Sequence, residues 1–298
     1  MYLKSVLLAL GLALGGTTLA EEVKLPHGGI TLNANLEKTG DNWHSGPVVL
    51  MTHGTLAHSR MEIMAGLQEM LLDRGVSSLS INLSLGLDDR EAAMYPCETP
   101  HRHKYNDAEE EVGAWMAWLK GQGAGNVSLL GHSRGGNKTA RFAAANDAFP
   151  VETVFLLAPS LRNQGYGEKD YKRRYGKELL PIMEKAREMV AAGKGDEMLQ
   201  KVDFIYCKEA SATAAAFISN YEPEANGDTP TLISRIKSPV MVIVGSEDKV
   251  VSGLVEKIEP IADGERVQLV IVEGAGHFFL DLYSEDVADT IAETLGAE

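Results

Sequence analysis

Positive charge is scarce in this sequence. Its 298 residues include 28 Lys and Arg but 42 Asp and Glu, which gives a net charge of −14. A general electrostatic attraction to nucleic-acid phosphates or to anionic lipid is therefore not expected. Internal repeats and low-complexity tracts are also missing, and the hydrophobic fraction of 44% fits a globular protein. The length suits one large α/β domain with an insertion, or two small domains.

Long apolar runs are equally scarce. The most apolar segment lies within residues 1–20, where Lys4 precedes an apolar core at 6–14 and small residues precede Glu21. This is the layout of a signal peptide, and the core is shorter than the roughly 20 residues that a membrane-spanning helix needs. We expect cleavage near Glu21, a periplasmic or secreted protein, and no stable membrane insertion afterwards. An uncleaved N-terminal anchor is the alternative.

Cysteine occurs only at Cys97 and Cys207. In an oxidising compartment these two thiols are candidates for one disulfide, which would join the segment 95–100 to the segment 204–208. The long loop that it closes would stabilise the fold by ~3 to 5 kcal/mol if the geometry is unstrained. Two free thiols are the alternative, and both stay open because pairing depends on the Cα separation.

Short apolar runs, rich in β-branched residues, alternate with helical patterns along the chain. Strands are predicted at 47–52, 76–83, 127–130, 153–158, 240–245 and 267–273, and helices at 60–74, 107–120, 134–146, 251–261 and 284–295. This alternation predicts a parallel sheet flanked by helices. A hairpin at 23–36 would add antiparallel strands at one edge of that sheet.

Residues 159–237 break the alternation, because they contain helical patterns and an Ala-rich stretch but no evident core strand. An insertion of this size between two sheet strands is predicted to be a helical cap over the strand ends. The predicted organisation is a signal peptide at 1–20, a core domain at 21–160 and 236–298, and a helical cap or lid at 161–235.

A strand, a tight turn and a helix are predicted to meet in the sequence GHSRGG at 131–136. A serine that attacks a carbonyl needs its hydroxyl lifted clear of the backbone, and Gly131 and Gly135 leave out the Cβ atoms that would crowd such a turn. Ser133 is therefore the predicted nucleophile, with a serine that only caps the helix as the alternative. The helix points free N–H groups toward a developing oxyanion, so the backbone N–H of Arg134 is the expected donor.

A serine hydroxyl becomes a strong nucleophile only when a base takes its proton, and an imidazole base needs an acid to orient it. His277 lies in a Gly-rich loop after the last predicted strand, and Asp248 follows the strand at 240–245. Catalytic groups of parallel sheets collect at such strand ends. Glu247 is the rival acid, and Asp248 is preferred because the chain is turning there. An ordinary loop histidine and a turn-forming or helix-capping aspartate are the alternatives.

A second oxyanion donor is expected in the sequence HGT at 53–55, which follows the first predicted parallel strand. A backbone N–H of this loop could point at the site. Thr55 is the first choice for this donor and Leu56 the second. The alternative is that His53 only ends the strand.

His101 and His103, with Asp107 close by, have a spacing that could suggest a metal site. No convincing further ligand follows, so no metal is predicted. The two histidines are expected to lie on the surface, or else to line a substrate cleft. His132 is expected to pack beneath the turn that holds Ser133.

Four motifs resemble those of the α/β-hydrolase superfamily: HGT at 53–55, GHSRGG at 131–136, GSED at 245–248 and GAGH at 274–277. The resemblance extends over nearly all of the chain after residue 20, and the serine motif is also similar to that of esterases and dienelactone-hydrolase-like enzymes. It implies an eight-stranded, mostly parallel sheet and no cofactor. It also implies a role for each site residue: Ser133 as nucleophile, His277 as base, Asp248 as its orienting acid, and the N–H groups of Thr55 and Arg134 as oxyanion hole.

We therefore expect an exported serine hydrolase that cleaves a carboxylic ester of a small molecule through an acyl-enzyme on Ser133. A peptidase, thioesterase or acyltransferase of the same fold is the first alternative. The second is a non-catalytic protein of this fold that binds a ligand. The acyl and leaving groups and the oligomeric state stay open, because the fold alone does not determine the substrate.

Overall fold

The computed structural model of the chain describes residues 20–163, 165–222, 224 and 226–297. Apart from Ala20, the expected signal peptide lies outside this part of the chain, so export and cleavage stay predictions. No helix within the described ranges is both long enough and apolar enough to cross a membrane.

Most strands of the chain form one central sheet. The strand bounds are β1 Glu21–His27, β2 Ile30–Glu37, β3 Val48–Thr52, β4 Ser77–Asn82, β5 Val127–His132, β6 Val154–Leu157, β7 Met198–Phe204, β8 Cys207–Thr213, β9 Val240–Gly245 and β10 Val267–Val272. Eight of them pair in the order β1-β2-β4-β3-β5-β6-β9-β10. β2 is antiparallel to both of its neighbours, and the other pairs are parallel. The predicted mostly parallel, eight-stranded sheet is confirmed.

Helices pack on both faces of this sheet. Their bounds are α1 Glu62–Asp73, α2 Asp107–Gly121, α3 Arg134–Ala145, α4 Tyr166–Tyr175, α5 Leu180–Ala191, α6 Ala214–Tyr221, α7 Thr229–Ile233, α8 Leu254–Ile258 and α9 Leu282–Thr294. The helix predicted at 251–261 is shorter than expected, because α8 gives way to a 3-10 turn at Glu259–Ile261, where a proline occupies the first turn.

The side chains of β3 alternate between two hydrophobic cores. Val48 and Leu50 belong to the core that α2 and α3 cover, and Val49 and Met51 belong to the core that α1 and α9 cover. All four are fully buried, which explains why this strand is an unbroken apolar run rather than an alternating one. Because β3, β5, β9 and β10 run parallel, their carboxyl ends lie along the same edge of the sheet, and the loops that follow them can meet there.

The chain between β6 and β9, residues 158–239, forms an insertion outside the central sheet. The sequence predicts helices alone in this region, but besides α4 to α7 the insertion contains β7 and β8, which pair as a separate antiparallel hairpin. Register shifts interrupt the pairing of these two strands. They disturb the two-residue alternation of buried side chains, so the usual sequence signal of a hairpin is missing.

Cys97 and Cys207 form a disulfide, with their Cα atoms 5.2 Å apart. This is one of the two possibilities that the sequence leaves open. Close by, the backbone N–H of His101 donates to Ser211 at 2.8 Å, and the carbonyl of His101 accepts from the N–H of Thr213 at 2.9 Å. A covalent bond and backbone hydrogen bonds therefore fasten β8 of the insertion to the loop that contains Cys97.

Candidate active site

Ser133 lies on the sharp turn between β5 and α3, with φ 57° and ψ −121°. This backbone conformation is sparsely populated for residues with a side chain and is typical of strained functional turns. A Cβ on Gly131 would lie 2.4 Å from Thr139 Oγ1, and a Cβ on Gly135 would lie 2.3 Å from the carbonyl oxygen of His53. Only glycine fits at either position, so the two flanking glycines make the turn possible.

The structure brings Ser133, His277 and Asp248 together. His277 Nε2 lies 2.9 Å from Ser133 Oγ, and His277 Nδ1 lies 2.8 Å from Asp248 Oδ2. The other carboxylate oxygen of Asp248 accepts hydrogen bonds from the backbone N–H groups of Val250 and Val251 at 2.7 and 3.0 Å. The hydroxyl thus faces a base that is oriented by an acid, which is the arrangement needed to activate a serine.

Asp248, and not Glu247, reaches the imidazole. The side chain of Asp248 is 2% exposed, whereas that of Glu247 is 64% exposed and lies 3.9 Å from Lys249 Nζ. Burial alone would raise the pKa of Asp248, but hydrogen bonds from His277 and from two backbone N–H groups hold this pKa below its ordinary value. The carboxylate is therefore ionised at neutral pH and can stabilise an imidazolium.

His132, the residue before Ser133, is buried against His277. Its Nε2 donates to the backbone carbonyl of His277 at 3.0 Å, and the two rings lie 4.9 Å apart. Burial and the neighbouring His277 lower the pKa of His132 to about 3, so this ring stays neutral. The sequence predicts that His132 packs beneath the turn, and the structure adds a hydrogen bond to the loop that carries the base.

The loop after β3, residues 53–57, passes close to Ser133. A Cβ on Gly54 would lie 3.3 Å from Ser133 Cβ, and Thr55 and Arg134 line the same cleft as Ser133. Among the hydrogen bonds of the described residues, none uses the backbone N–H of Thr55 or of Arg134. Both groups are therefore available to a substrate oxygen. Leu56, the second expected donor, is buried and is not among the residues that line this cleft as the structure describes it.

Two buried side chains hold this loop in place, His53 and Arg90. His53 Nδ1 donates to the carbonyl of Gly54 at 2.9 Å, while its Nε2 accepts the N–H of Leu83 at 3.1 Å. Arg90 donates to the carbonyl oxygens of Leu83 and Ala57 at 2.7 and 2.8 Å. Burial and the charge of Arg90 keep the pKa of His53 well below its ordinary value, so the ring is neutral. The sequence singles out the histidine but not the arginine, whose contact with this loop, at Ala57, spans 33 positions of the chain.

The cleft beside Ser133 has one wall from the core domain and one from the insertion. Lining residues from the insertion include Arg162, Asp170, Arg174, Tyr206, Asn220 and Tyr221. The insertion therefore shapes the space that a substrate of Ser133 would enter.

Two arginines of this cleft contact the ring of Tyr105. Arg134 Cζ lies 4.5 Å and Arg162 Cζ 3.8 Å from the ring centroid. Tyr105 is 1% exposed, and its hydroxyl donates to Asn137 Oδ1 at 2.7 Å, which fixes the ring. The sequence points to Arg134 for its backbone N–H alone and gives no sign of Arg162 or Tyr105, because their contact joins segments that are far apart in the chain.

His101 and His103 are 0% and 3% exposed, which corrects the expectation that they lie on the surface. The rings of Tyr95 and Phe204 each lie 4.7 Å from that of His101. Neither histidine lines the cleft beside Ser133 as the structure describes it, and the described residues contain no group of three or more His, Cys, Asp or Glu that could hold a metal ion. Phe204 belongs to the unpredicted hairpin, which is why the sequence does not indicate this burial.

A family model described as "Alpha/beta hydrolase family" matches residues 48–290 of the chain. The matched range contains Ser133, Asp248 and His277, together with the whole insertion. No curated protein matches the sequence.

Several solved structures are similar to nearly the whole chain. Est1E from Butyrivibrio proteoclasticus is 17% identical, with a TM-score of 0.61 over 92% of this chain and 99% of that one. A monoacylglycerol lipase of Paleococcus ferrophilus is 16% identical, with a TM-score of 0.60 over 89% and 98%. An esterase of Pyrococcus furiosus is 16% identical, with a TM-score of 0.61 over 94% and 91%. At these identities the similarity shows the fold alone.

Proposed function

The chain belongs to the alpha/beta hydrolase family, and we propose that this hydrolase cleaves a carboxylic ester through an acyl-enzyme on Ser133. One observation carries the proposal: the hydroxyl of Ser133, the imidazole of His277 and the carboxylate of Asp248 form one continuous chain of hydrogen bonds. A serine that attacks a carbonyl needs such a base and such an acid.

In the first half of the reaction, Ser133 Oγ attacks the ester carbonyl carbon while His277 Nε2 takes the hydroxyl proton. Asp248 stabilises the imidazolium through Nδ1, and the N–H groups of Thr55 and Arg134 donate to the negative oxygen that forms. When the tetrahedral intermediate collapses, the bond from carbon to the alcohol oxygen breaks and His277 gives its proton to the leaving alcohol. Water then attacks the acyl-enzyme by the same route, which releases the acid and restores Ser133.

Ester cleavage is supported by the similar structures whose names give an esterase or a lipase. A peptidase, a thioesterase and an acyltransferase would use the same three side chains on a different acyl donor or acceptor. The alternatives therefore differ in substrate and share the geometry around Ser133.

We also propose that residues 161–235 act as a cap that sets substrate choice. The support is that several residues of this segment line the cleft beside Ser133. Exchange of the exposed Tyr206 for Ala would test this role. We expect the relative rates for short-chain and long-chain esters to change while labelling of Ser133 persists. Unchanged relative rates would contradict it.

Export is a further part of the proposal, and the disulfide between Cys97 and Cys207 supports it, because structural disulfides persist mainly in oxidising compartments. Expression of the full chain in a bacterium with two membranes tests it. We expect a periplasmic protein whose intact mass corresponds to a start near Glu21. A full-length product in the cytoplasm would contradict export.

Labelling with a fluorophosphonate probe tests the nucleophile directly. We expect modification that maps to Ser133 in the wild-type protein and disappears in Ser133→Ala, with both proteins folded by circular dichroism. A folded wild-type protein that resists the probe would instead favour a non-catalytic protein that binds a ligand. Rates with esters, thioesters and amides of the same acyl group then identify the bond that the enzyme cleaves. Faster cleavage of the amide or thioester would favour a peptidase or a thioesterase over an ester hydrolase. Acyl transfer to an added alcohol would favour an acyltransferase.

A further inference from the structure

Two arginine side chains in the cleft wall have no carboxylate partner in the part of the chain that the structure describes. Arg134 donates to Asn220 Oδ1 at 2.6 Å, and Arg162 donates to the backbone carbonyl oxygens of Asn220 and Glu222 at 3.1 and 3.4 Å. These acceptors are neutral. No carboxylate in the described part of the chain therefore lies against either guanidinium group, in a protein whose net charge is −14.

The acids that line the same cleft are already paired with other cations. The carboxylate oxygens of Asp170 lie 2.5 Å from Arg173 and 2.6 Å from Arg174. The carboxylate of Glu222 accepts two hydrogen bonds from Arg187, at 2.8 and 3.0 Å. Neither acid neutralises the unpaired arginines.

The carboxylate of Glu224 also attracts the guanidinium of Arg162, but from a greater distance. Its carboxylate is bound to Arg141 at 2.6 Å, and its side chain is 45% exposed, so solvent screens it. The positive charge of Arg162 inside the cleft is thus offset only weakly by the protein itself.

Both unpaired guanidinium groups are held in fixed positions. They contact the ring of Tyr105, and Asn220 accepts a hydrogen bond from each of them. A guanidinium has five N–H donors in a planar fork, so donors remain free after these bonds are made. A desolvated cation without a counter-ion is unfavourable, and an anion that enters the cleft would remove this penalty.

We propose that Arg134 and Arg162 bind a carboxylate of the substrate, so that esters carrying a second, anionic carboxylate group are the preferred substrates. The inference rests on the proposed ester hydrolysis and adds the substrate class. Guanidinium groups bind carboxylates through pairs of charge-assisted hydrogen bonds. Arg134 directly follows Ser133, and all three residues line one cleft, so the carboxylate and the scissile carbonyl can bind together.

Two ester pairs that differ in a single charge test the preference. Mono-4-nitrophenyl adipate and 4-nitrophenyl methyl adipate place the carboxylate, or its methyl ester, on the acyl side. The butyrate ester of 4-hydroxybenzoate and that of its methyl ester place it on the leaving group. We expect kcat/KM of the wild-type enzyme to favour the anionic member of one pair by about 10- to 100-fold, as for a charge-assisted hydrogen bond. The pair that responds shows which side of the ester lies at the arginines.

Substitutions at Arg162 test whether this side chain causes the preference for the anionic ester. In Arg162→Gln we expect the ratio of kcat/KM for the anionic ester to kcat/KM for its neutral partner to fall toward one. Arg162→Lys keeps the charge and should retain part of the advantage. Lys237→Gln is the control, because it removes one positive charge from a side chain that is 83% exposed, paired with Asp147 and not among the residues that line this cleft, and it should leave the ratio unchanged.

Binding of adipate to Ser133→Ala, measured by calorimetry, separates the anion site from the chemistry. We expect the Kd for adipate to rise severalfold when NaCl is raised from about 50 mM to about 500 mM. We expect this Kd to rise by about tenfold or more when Arg162→Gln is added to Ser133→Ala. Arg134→Gln serves in its place if Arg162→Gln does not fold.

The outcomes distinguish the two proposals. Adipate binding that depends on Arg162, without turnover of any ester, would support the carboxylate site and contradict the ester hydrolase. Turnover of the neutral esters that depends on Ser133, with no preference for an anion and no adipate binding, would overturn the carboxylate site and leave the ester hydrolase standing.

Discussion

The imidazole of His132 donates a hydrogen bond to the backbone carbonyl of His277 across 3.0 Å, although 145 positions separate the two residues. His132 ends β5, directly before Ser133, whereas His277 lies in a loop after β10. The bond therefore ties the loop that carries His277 to the end of the strand that precedes Ser133. A general base has to lie within hydrogen-bond reach of the proton that it takes, so this tie bears on the rate of the first step.

Replacement of His132 by Leu removes the donor. We expect the free energy of unfolding to fall by about 1 to 3 kcal/mol, and kcat to fall by about tenfold or more because the base is less well placed. His132→Gln keeps an N–H donor and should retain more of both. Urea denaturation and steady-state kinetics with an activated ester measure the two effects. The positioning role is wrong if His132→Leu keeps the wild-type kcat.

Substitutions of the two neighbouring acids, Asp248 and Glu247, are expected to have different effects on kcat. Asp248→Asn keeps the shape of the side chain but removes the charge that stabilises the imidazolium, so we expect kcat to fall by about 10⁴-fold with an intact fold. Glu247→Gln is the matched control, because its side chain is exposed, and it should change kcat by less than about twofold. Similar losses in the two variants would contradict the assignment of the acid.

We expect the free energy of unfolding to fall in acid, because buried histidines stay neutral in the folded protein. The pKa of His101 is lowered by burial to about 4, and that of His132 by burial and His277 to about 3, whereas an unfolded histidine titrates near ~6.5. Below about pH 6.5 the unfolded chain takes up protons that the folded chain does not. The free energy of unfolding should then fall by about 1.4 kcal/mol per pH unit for each such histidine, until the folded-state pKa is reached.

Urea denaturation at several values between about pH 7.5 and about pH 4.5 measures this slope. His101→Phe is the informative variant, because its ring suits the aromatic contacts with Tyr95 and Phe204 and does not titrate. We expect this variant to lose one histidine's share of the slope. An identical slope in both proteins would show that His101 does not contribute.

Removal of the disulfide tests how much this bond contributes to the free energy of unfolding. Cys97 and Cys207 are 110 positions apart, and a loop of this length gives a loss of ~3 to 5 kcal/mol in the free energy of unfolding when both are changed to Ser. Wild-type protein in dithiothreitol should show the same loss, and the double variant should not respond to the reductant. Equal stability of the oxidised and reduced forms would contradict a structural role for the bond.

Local signals in the sequence predict most of the central sheet and the sharp turn that holds Ser133. The unbroken apolar run of β3 indicates a strand covered on both faces, and the glycines around Ser133 indicate a turn that only they can adopt. His277 follows from its place after the last strand of the sheet. Each of these features depends on side chains within a few positions of one another, so it is visible in the sequence alone.

The tertiary structure decided the features that depend on burial and on contacts between distant segments. It selected Asp248 over the adjacent Glu247, because only one of two neighbouring side chains can turn toward the imidazole. It buried His101 against a hairpin with irregular pairing, and it placed Arg162 on the ring of Tyr105 in the cleft beside Ser133. A charge has a different energy in solvent than in a cleft without a counter-ion, and only the folded chain determines which of these surroundings each residue has.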